Sequence, residues 1–309
     1  MSTSRIVFAG TPEFAAVALR ALVDAGHKPI AVLTQPDRPA GRGKRLTASP
    51  VKEYALQHDI DVLQPPTLRA PDVVAELAAL KPDLMIVVAY GLLLPQAVLD
   101  IPRLACINVH ASLLPRWRGA APIQAAILAG DTHTGVALVA MTAGLDCGPV
   151  YASRQLAIGS DETAGQLHDR LASAGGELLT IHLADLLAGK LQAEPQDDAQ
   201  ATHAPKITTA DAALDWRRPA DELARRVRAY NPVPGAYFML DDERIKCWQA
   251  HSVTGIDAAA GSIVAAGADG IVVACAAGGL CMQSLQRPGR RPVSAAEFSA
   301  QARLVGRQL

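Results

Sequence analysis

Hydrophobic positions in the first two thirds of the chain fall into short unbroken runs separated by stripes at helical spacing, the pattern of strands alternating with helices. Ile6-Val7-Phe8-Ala9-Gly10 predicts a strand, and after Thr11-Pro12 the residues Phe14, Val17, Ala18 and Leu22 recur as one helical face. Pro29 to Thr34 predicts a second strand, Ser49-Pro50 opens a helix, Asp61-Val62-Leu63 is a short strand, and another helix follows over 71–80. Asp83 to Ala89 is almost wholly apolar, as a parallel strand covered on both faces must be. Strands are then predicted from Cys106 to His110, Gly135 to Ala140 and Val150 to Ala157, with helices over 122–129 and 163–187. Gly175-Gly176 predicts a bend in the last of these. Residues 190–206 lose the apolar period and gather Pro, Asp and Gln, as linkers do. Beyond them one helix near 219–230 precedes five short β-like runs at 236–240, 244–250, 261–265, 270–275 and 280–285.

The expected fold class is therefore α/β: a Rossmann-like, mostly parallel sheet domain over 1–189, a linker over 190–206, and a small OB-like β-barrel over 207–309. A chain of 309 residues that is 50% hydrophobic can bury a core in each. The first strand-turn-helix lacks the G-x-G-x-x-G that brings backbone against a pyrophosphate, which disfavours NAD and FAD. Charge is balanced, 29 basic against 30 acidic residues, so any polyanion must be met by local patches. Two such patches exist. Arg38, Arg42, Lys44 and Arg45, with Lys52 nearby, face only Asp37 in opposition, and Arg287-Pro288-Gly289-Arg290-Arg291 forms a second basic turn. A solvated loop explains the first patch as readily as a nucleic-acid or other phosphate contact does. Five cysteines without any C-x-x-C spacing argue against a disulfide frame and a zinc site and for a reduced cytoplasm. No apolar stretch approaches the roughly 20 residues of a membrane span, so no membrane association is expected.

The chemistry concentrates at Cys106 to Gly119. Alternation puts Asn108 and His110 on one side of a strand and Ile107 and Val109 on the other, and the prolines and glycine that follow leave the polar pair near the strand's carboxyl end. A lone Asn-x-His is commonly a polar edge or a satisfied core pair, yet an amide donor beside a titratable base suits acyl transfer. Asp146 lies in the glycine-bracketed loop Thr142 to Pro149, where it is either a turn cap or a site carboxylate. Cys147 has no neighbour that would activate a thiol, so a cysteine nucleophile is disfavoured. Tyr90-Gly91 ends a strand and either walls a pocket or makes a plain turn.

Taken together, Asn108-x-His110, Ser112-Leu113-Leu114-Pro115 and Leu145-Asp146 resemble the formyltetrahydrofolate-dependent formyltransferases. The resemblance extends to Phe8 to Phe14, Gln35 to Lys44, Cys106 to Gly119 and Arg228-Ala229-Tyr230-Asn231-Pro232. It implies an enzyme with Asn108, His110 and Asp146 as the catalytic set, and a folate site lined by Ser112, Leu113, Leu114, Pro115, Tyr90 and Gly91. It implies 10-formyltetrahydrofolate as formyl donor, with no metal. The cationic loop and the carboxyl-terminal barrel point to the branch of the family that formylates initiator methionyl-tRNA for translation initiation. On that branch Arg38, Arg42, Lys44, Arg45, Lys206, Arg290 and Arg291 are the expected tRNA contacts, and the protein is expected to act as a cytoplasmic monomer. The family aspartate is usually followed by Thr-Gly, whereas this chain reads Cys147-Gly148-Pro149. Rival readings are a formyltransferase for a nucleotide-linked amino sugar, a purine-pathway glycinamide enzyme, which would need neither the loop nor the barrel, and a non-catalytic RNA-binding relative.

Overall fold

Runs of Val, Ile and Leu with no polar face cannot border water on either side, and the first half of the fold is assembled around them. The computed structural model describes residues 4–40, 45–300 and 303–309. The chain divides into two compact units, one of residues 1–122, 133–157 and 168–204, the other of residues 123–132, 158–167 and 205–309.

The strands of the first unit are β1 (Ile6–Gly10), β2 (Ala31–Leu33), β3 (Arg38–Ala40), β4 (Arg45–Thr47), β5 (Asp61–Leu63), β6 (Leu84–Val88), β7 (Ala105–His110), β8 (Arg118–Gly119), β9 (His133–Ala140), β10 (Val150–Ala157) and β11 (His203–Ala204). Seven of them form one sheet in the order β10-β9-β7-β6-β1-β2-β5. From β7 to β5 the neighbours run parallel, and β9 and β10 close the other edge antiparallel. Every residue of β1 and β6 is buried. The chain winds from β1 outward through β2 to β5, then returns to β6 on the other side of β1 and continues outward to β7. The strand order thus reverses between β1 and β6, and a crevice at the carboxyl ends of such a pair is where open α/β sheets take their ligands.

The helices of the first half are α1 (Glu13–Asp24), α2 (Pro50–Gln57), α3 (Pro71–Ala79), α4 (Gln96–Leu99), α5 (Pro122–Ala129) and α6 (Ala164–Leu187). Helix α6 runs unbroken through Gly175-Gly176, and the pair serves close packing: a Cβ on Gly175 would lie 2.8 Å from Val109 Cγ1, and one on Gly176 2.9 Å from Ala21 Cβ. Those glycines let the helix press onto β7 and α1. The cationic loop expected over Gln35 to Arg45 carries instead β3 and the first residue of β4, which pair antiparallel, with residues 41–44 between them outside the described residues.

In the second unit α7 (Ala220–Ala229) buries Leu223 and Val227 against an antiparallel sheet of β12 (Tyr237–Leu240), β13 (Glu243–Val253), β14 (Ile263–Ala266), β15 (Ile271–Ala274), β16 (Gly279–Gln286) and β17 (Val293–Ser294), with α8 (Ala295–Ser299) beside it. The path is β12-β13-β16-β15-β14, with β17 on β16. Register shifts in β13 between Cys247 and Ala250 are bulges, which bend a strand, and the sheet curls as a half-barrel over Trp216, Phe238, Ile245, Met282 and Phe298. Two excursions of the earlier chain complete this unit. Arg225 Nε donates to Leu128 O at 3.3 Å, and Gly165 N donates to Asn231 O at 3.0 Å. Among the described residues no helix is long and apolar enough to cross a membrane.

Candidate active site

Strand β7 lies between β6 and β9, so its backbone is held on both edges and its last side chains have little freedom. Ile107 and Val109 are fully buried, His110 is 5% exposed, and Asn108 is half-buried. The chain then turns tightly, with Ser112 Oγ donating to Arg116 O at 2.6 Å and Trp117 in the left-handed region at φ 61°. That turn brings the Trp117 carbonyl to 3.0 Å from His110 Nε2. A carbonyl only accepts, so Nε2 is the donor of this bond. Nδ1 faces Asp146 Oδ2 at 3.7 Å.

Asp146 is itself held at an unusual backbone angle, φ 51°, which Asp tolerates better than most residues. Gly119 N donates to its Oδ2 at 2.9 Å, and Asn108 Nδ2 approaches its Oδ1 at 3.4 Å. Asn108, His110 and Asp146 therefore converge, as their spacing in the sequence alone could not show. The loop sits flush on β9, since a Cβ on Gly148 would lie 1.8 Å from Ala140 O. Gly119 is equally constrained, at φ 119° with a Cβ position 2.6 Å from Ala204 O.

The stretch read as a linker supplies much of this framework. Gln196 Nε2 donates to Asp146 O at 2.8 Å and to Gly148 O at 2.6 Å. Thr202 Oγ1 accepts from Trp117 N at 2.9 Å, and β11 pairs with β8. Arg118, 6% exposed, donates to Gln196 Oε1 at 3.0 Å and pairs with Asp198 at 2.7 Å. Sequence reasoning missed Arg118, Gln196 and Thr202, because polar residues that pair across long separations leave no periodic trace.

The other expected site residues are distributed as follows. Leu113 packs against Gly135, whose Cβ position lies 2.5 Å from Leu113 Cδ2, and Leu114 and Pro115 are half-buried on the same turn. Tyr90 is 2% exposed, and burial pushes its hydroxyl up to about 12. That hydroxyl has no hydrogen-bond partner among the described residues, while the Tyr90 carbonyl accepts from Thr11 Oγ1 at 3.0 Å and Gln35 Nε2 at 3.1 Å. Gly91 follows at φ 85°, against the Gln35 amide. Arg38 is exposed and donates to Gln35 Oε1, Arg45 lends its backbone to β4, and Arg42 and Lys44 lie outside the described residues. Lys206 and Arg290 are exposed on the second unit, whereas Arg291 is held by Glu297 at 2.8 and 3.0 Å and Arg287 pairs with Glu243. Cys147 is exposed, with Sγ 3.5 Å from Thr142 Oγ1, and burial pushes the Cys106 thiol up to about 12. Among the described residues no group of three or more His, Cys, Asp or Glu is placed to hold a metal ion.

Residues 4–183 match the family model described as formyl transferase, and residues 206–303 match the one described as formyl transferase, C-terminal domain. The chain belongs to the formyl transferase family. Within that family it is 57% identical over 290 residues to the methionyl-tRNA formyltransferase of Pseudomonas syringae pv. tomato, covering 94% of this chain and 92% of that protein. The protein of the same name from Pseudomonas putida W619 is 56% identical, covering 94% and 93% of the two chains. Among solved structures, HypX from Aquifex aeolicus in complex with tetrahydrofolic acid superposes at TM-score 0.65 and 18% identity over 97% of this chain, which spans about half of it (47%). An N-formyltransferase from Helicobacter canadensis, in complex with folinic acid and dTDP-3-aminofucose, superposes at TM-score 0.66 and 13% identity, covering 92% of this chain and 99% of that one. At such identities these two likenesses establish the fold.

Proposed function

We propose that the protein transfers the formyl group of 10-formyltetrahydrofolate to the α-amine of initiator methionyl-tRNA. The observation that carries this reading is the convergence of Asn108, His110 and Asp146 at the end of β7, in a chain more than half identical to proteins named for that reaction. The donor chemistry of the site fits a formyl-bearing folate: an amide donor, an imidazole with one nitrogen fixed, and a carboxylate reach the same few ångströms.

When bound, the folate supplies an electrophilic formyl carbon whose oxygen gains negative charge as an amine adds. The amide of Asn108, held only by a long 3.4 Å contact, is available to donate to that oxygen, and a donor of this kind is typically worth about a hundredfold or more in rate. His110 keeps its Nε2 hydrogen on Trp117 O, which leaves Nδ1 to take up the proton released by the amine and to give it to the folate nitrogen as the bond between that nitrogen and the formyl carbon breaks. A charge formed there lies 3.7 Å from the Asp146 carboxylate, which orients and stabilises it. Ser112, Leu113, Leu114, Pro115, Tyr90 and Gly91 form the proposed folate wall. Arg38, Arg42, Lys44, Arg45, Lys206, Arg290 and Arg291 are the proposed tRNA contacts; Arg291 would have to exchange its Glu297 partner for a phosphate. We assign the transfer chemistry to residues 1–189 and the carboxyl-terminal share of tRNA binding to 207–309, in a cytoplasmic monomer.

The deciding experiment offers 10-formyltetrahydrofolate together with either charged initiator tRNA or an amino-sugar nucleotide. Formylmethionyl-tRNA is the expected product, and formylation of the sugar nucleotide alone would overturn the proposal.

A further inference from the structure

Lys52 belongs by sequence to the cationic cluster around residues 38–45, but its ammonium group is already committed. It donates to Asp37 Oδ2 at 2.7 Å and to Gln64 Oε1 at 2.8 Å, while Gln64 Nε2 donates to Asp37 Oδ1 at 2.8 Å and to Gln35 O at 2.9 Å. The three side chains close a ring in which each bonds both others. They come from three places: Asp37 directly precedes β3, Lys52 is in the first turn of α2, and Gln64 directly follows β5. Both charged members are largely covered, at 20% and 31% side-chain exposure. The Lys52 and Gln64 hydrogen bonds hold the Asp37 carboxyl below the usual carboxylate range.

The ring sits at the root of the β3-β4 hairpin. Paired strands of three residues have little stability of their own, so the direction in which such a hairpin projects is set where it joins the fold. Its returning arm is tied as well: Ser49 caps α2 by accepting from Lys52 N at 3.1 Å and shares a 2.6 Å hydrogen bond with Thr34. Gln35 joins the root to the crevice between β1 and β6 through its bonds to Tyr90 O and from its own N to Thr11 Oγ1 at 3.3 Å.

We propose that Asp37, Lys52 and Gln64 are positioning residues: a clamp that aims the cationic hairpin at the acceptor tRNA, with Lys52 spent inside the clamp and making no phosphate contact. The inference rests on the tRNA reading above. It carries a sign that a plain electrostatic patch does not. If the segment acted only through its charge, Asp37→Asn would remove an anion, release Lys52 and tighten RNA binding, and the uncharged change Gln64→Leu would do nothing. If the clamp positions the hairpin, both changes weaken binding.

The test uses the full-length protein and its Asp37→Asn, Gln64→Leu and Lys52→Met variants, with thermal melts and 10-formyltetrahydrofolate affinity measured alongside. The expected result is a KM for methionyl-tRNA raised about tenfold in each, with kcat at saturating tRNA within about twofold and folate affinity unchanged. The slope of log affinity for tRNA against log salt should stay near the parent value in Lys52→Met, because a lost phosphate contact would lower it by about one. Tighter tRNA binding by Asp37→Asn, an unchanged Gln64→Leu, or that drop in slope overturns the clamp while leaving the tRNA reading intact. A parent protein that makes no formylmethionyl-tRNA removes both. Should one variant fold poorly, the other two decide.

Discussion

Asp37 and Asp146 are both loop carboxylates of the first unit, and they are held in different ways. Asp37 receives Lys52 at 2.7 Å and Gln64 at 2.8 Å, one on each oxygen. Asp146 receives one short bond, from Gly119 N at 2.9 Å, and one long one, from Asn108 at 3.4 Å, while His110 Nδ1 stands 3.7 Å away. A carboxylate with a short bond on each oxygen fixes backbone. One that keeps an amide and an imidazole close without binding them fully leaves both able to turn to a third party. The first arrangement is the finished state of a joint, and the second is a site awaiting a reactant.

The sharpest way to break that contrast is to remove the loosely held partners. Asn108→Ala and His110→Ala should each lower single-turnover formylation by about two to three orders of magnitude with the fold intact, as loss of an oriented donor or base does. Rates near the parent's would put Asp146 in the same structural class as Asp37. Next in size is Gly148→Ala, whose methyl would meet Ala140 O at 1.8 Å. The loop must shift to admit it, at a cost on the order of 3 kcal/mol by chemical unfolding, with formylation falling as Asp146 moves.

Smaller effects probe the hairpin side. Tyr90→Phe removes a buried hydroxyl that has no partner among the described residues, so stability should rise by about 1 kcal/mol in the same unfolding assay. A fall in stability together with weaker folate binding would mean that the hydroxyl is a folate contact. The smallest effect is one of pH. The Asp37 carboxyl is held below its ordinary 3.8 by hydrogen bonds from Lys52 and Gln64, so its contribution is present above that value and is lost as pH falls through the lowered one. The stability gap between the parent and Asp37→Asn should therefore be fully open at about pH 6 and narrow as pH falls below the ordinary 3.8, and a gap that does not narrow under acid would contradict the assignment.

Much of this was legible in the residues. The apolar run of β6 announced itself because strands covered on both faces need unbroken hydrophobic sequence, and in β7 the alternation of Asn108 and His110 with Ile107 and Val109 made the polar pair stand out. Asp146 was legible as a candidate through its glycine-flanked loop, though its approach to Asn108 spans 38 residues. What escaped was the polar scaffold: Gln196 acts on Asp146 across 50 residues and Thr202 on Trp117 across 85, from a segment whose composition resembles a linker. Gly175-Gly176 looked like a break because a glycine pair lowers helix propensity, whereas tight packing onto Val109 and Ala21 requires the missing Cβ atoms. Lys52 looked like one more cation because charge counts do not show which charges are already paired.

The central claim is that Asn108, His110 and Asp146 act as one device on a formyl group, and a double-mutant cycle on the single-turnover rate of formylmethionyl-tRNA formation tests it most directly. For Asn108→Ala and Asp146→Asn, residues that work as a unit predict a double variant about as slow as the slower single one. Losses that multiply, or a single variant as fast as the parent, would contradict it.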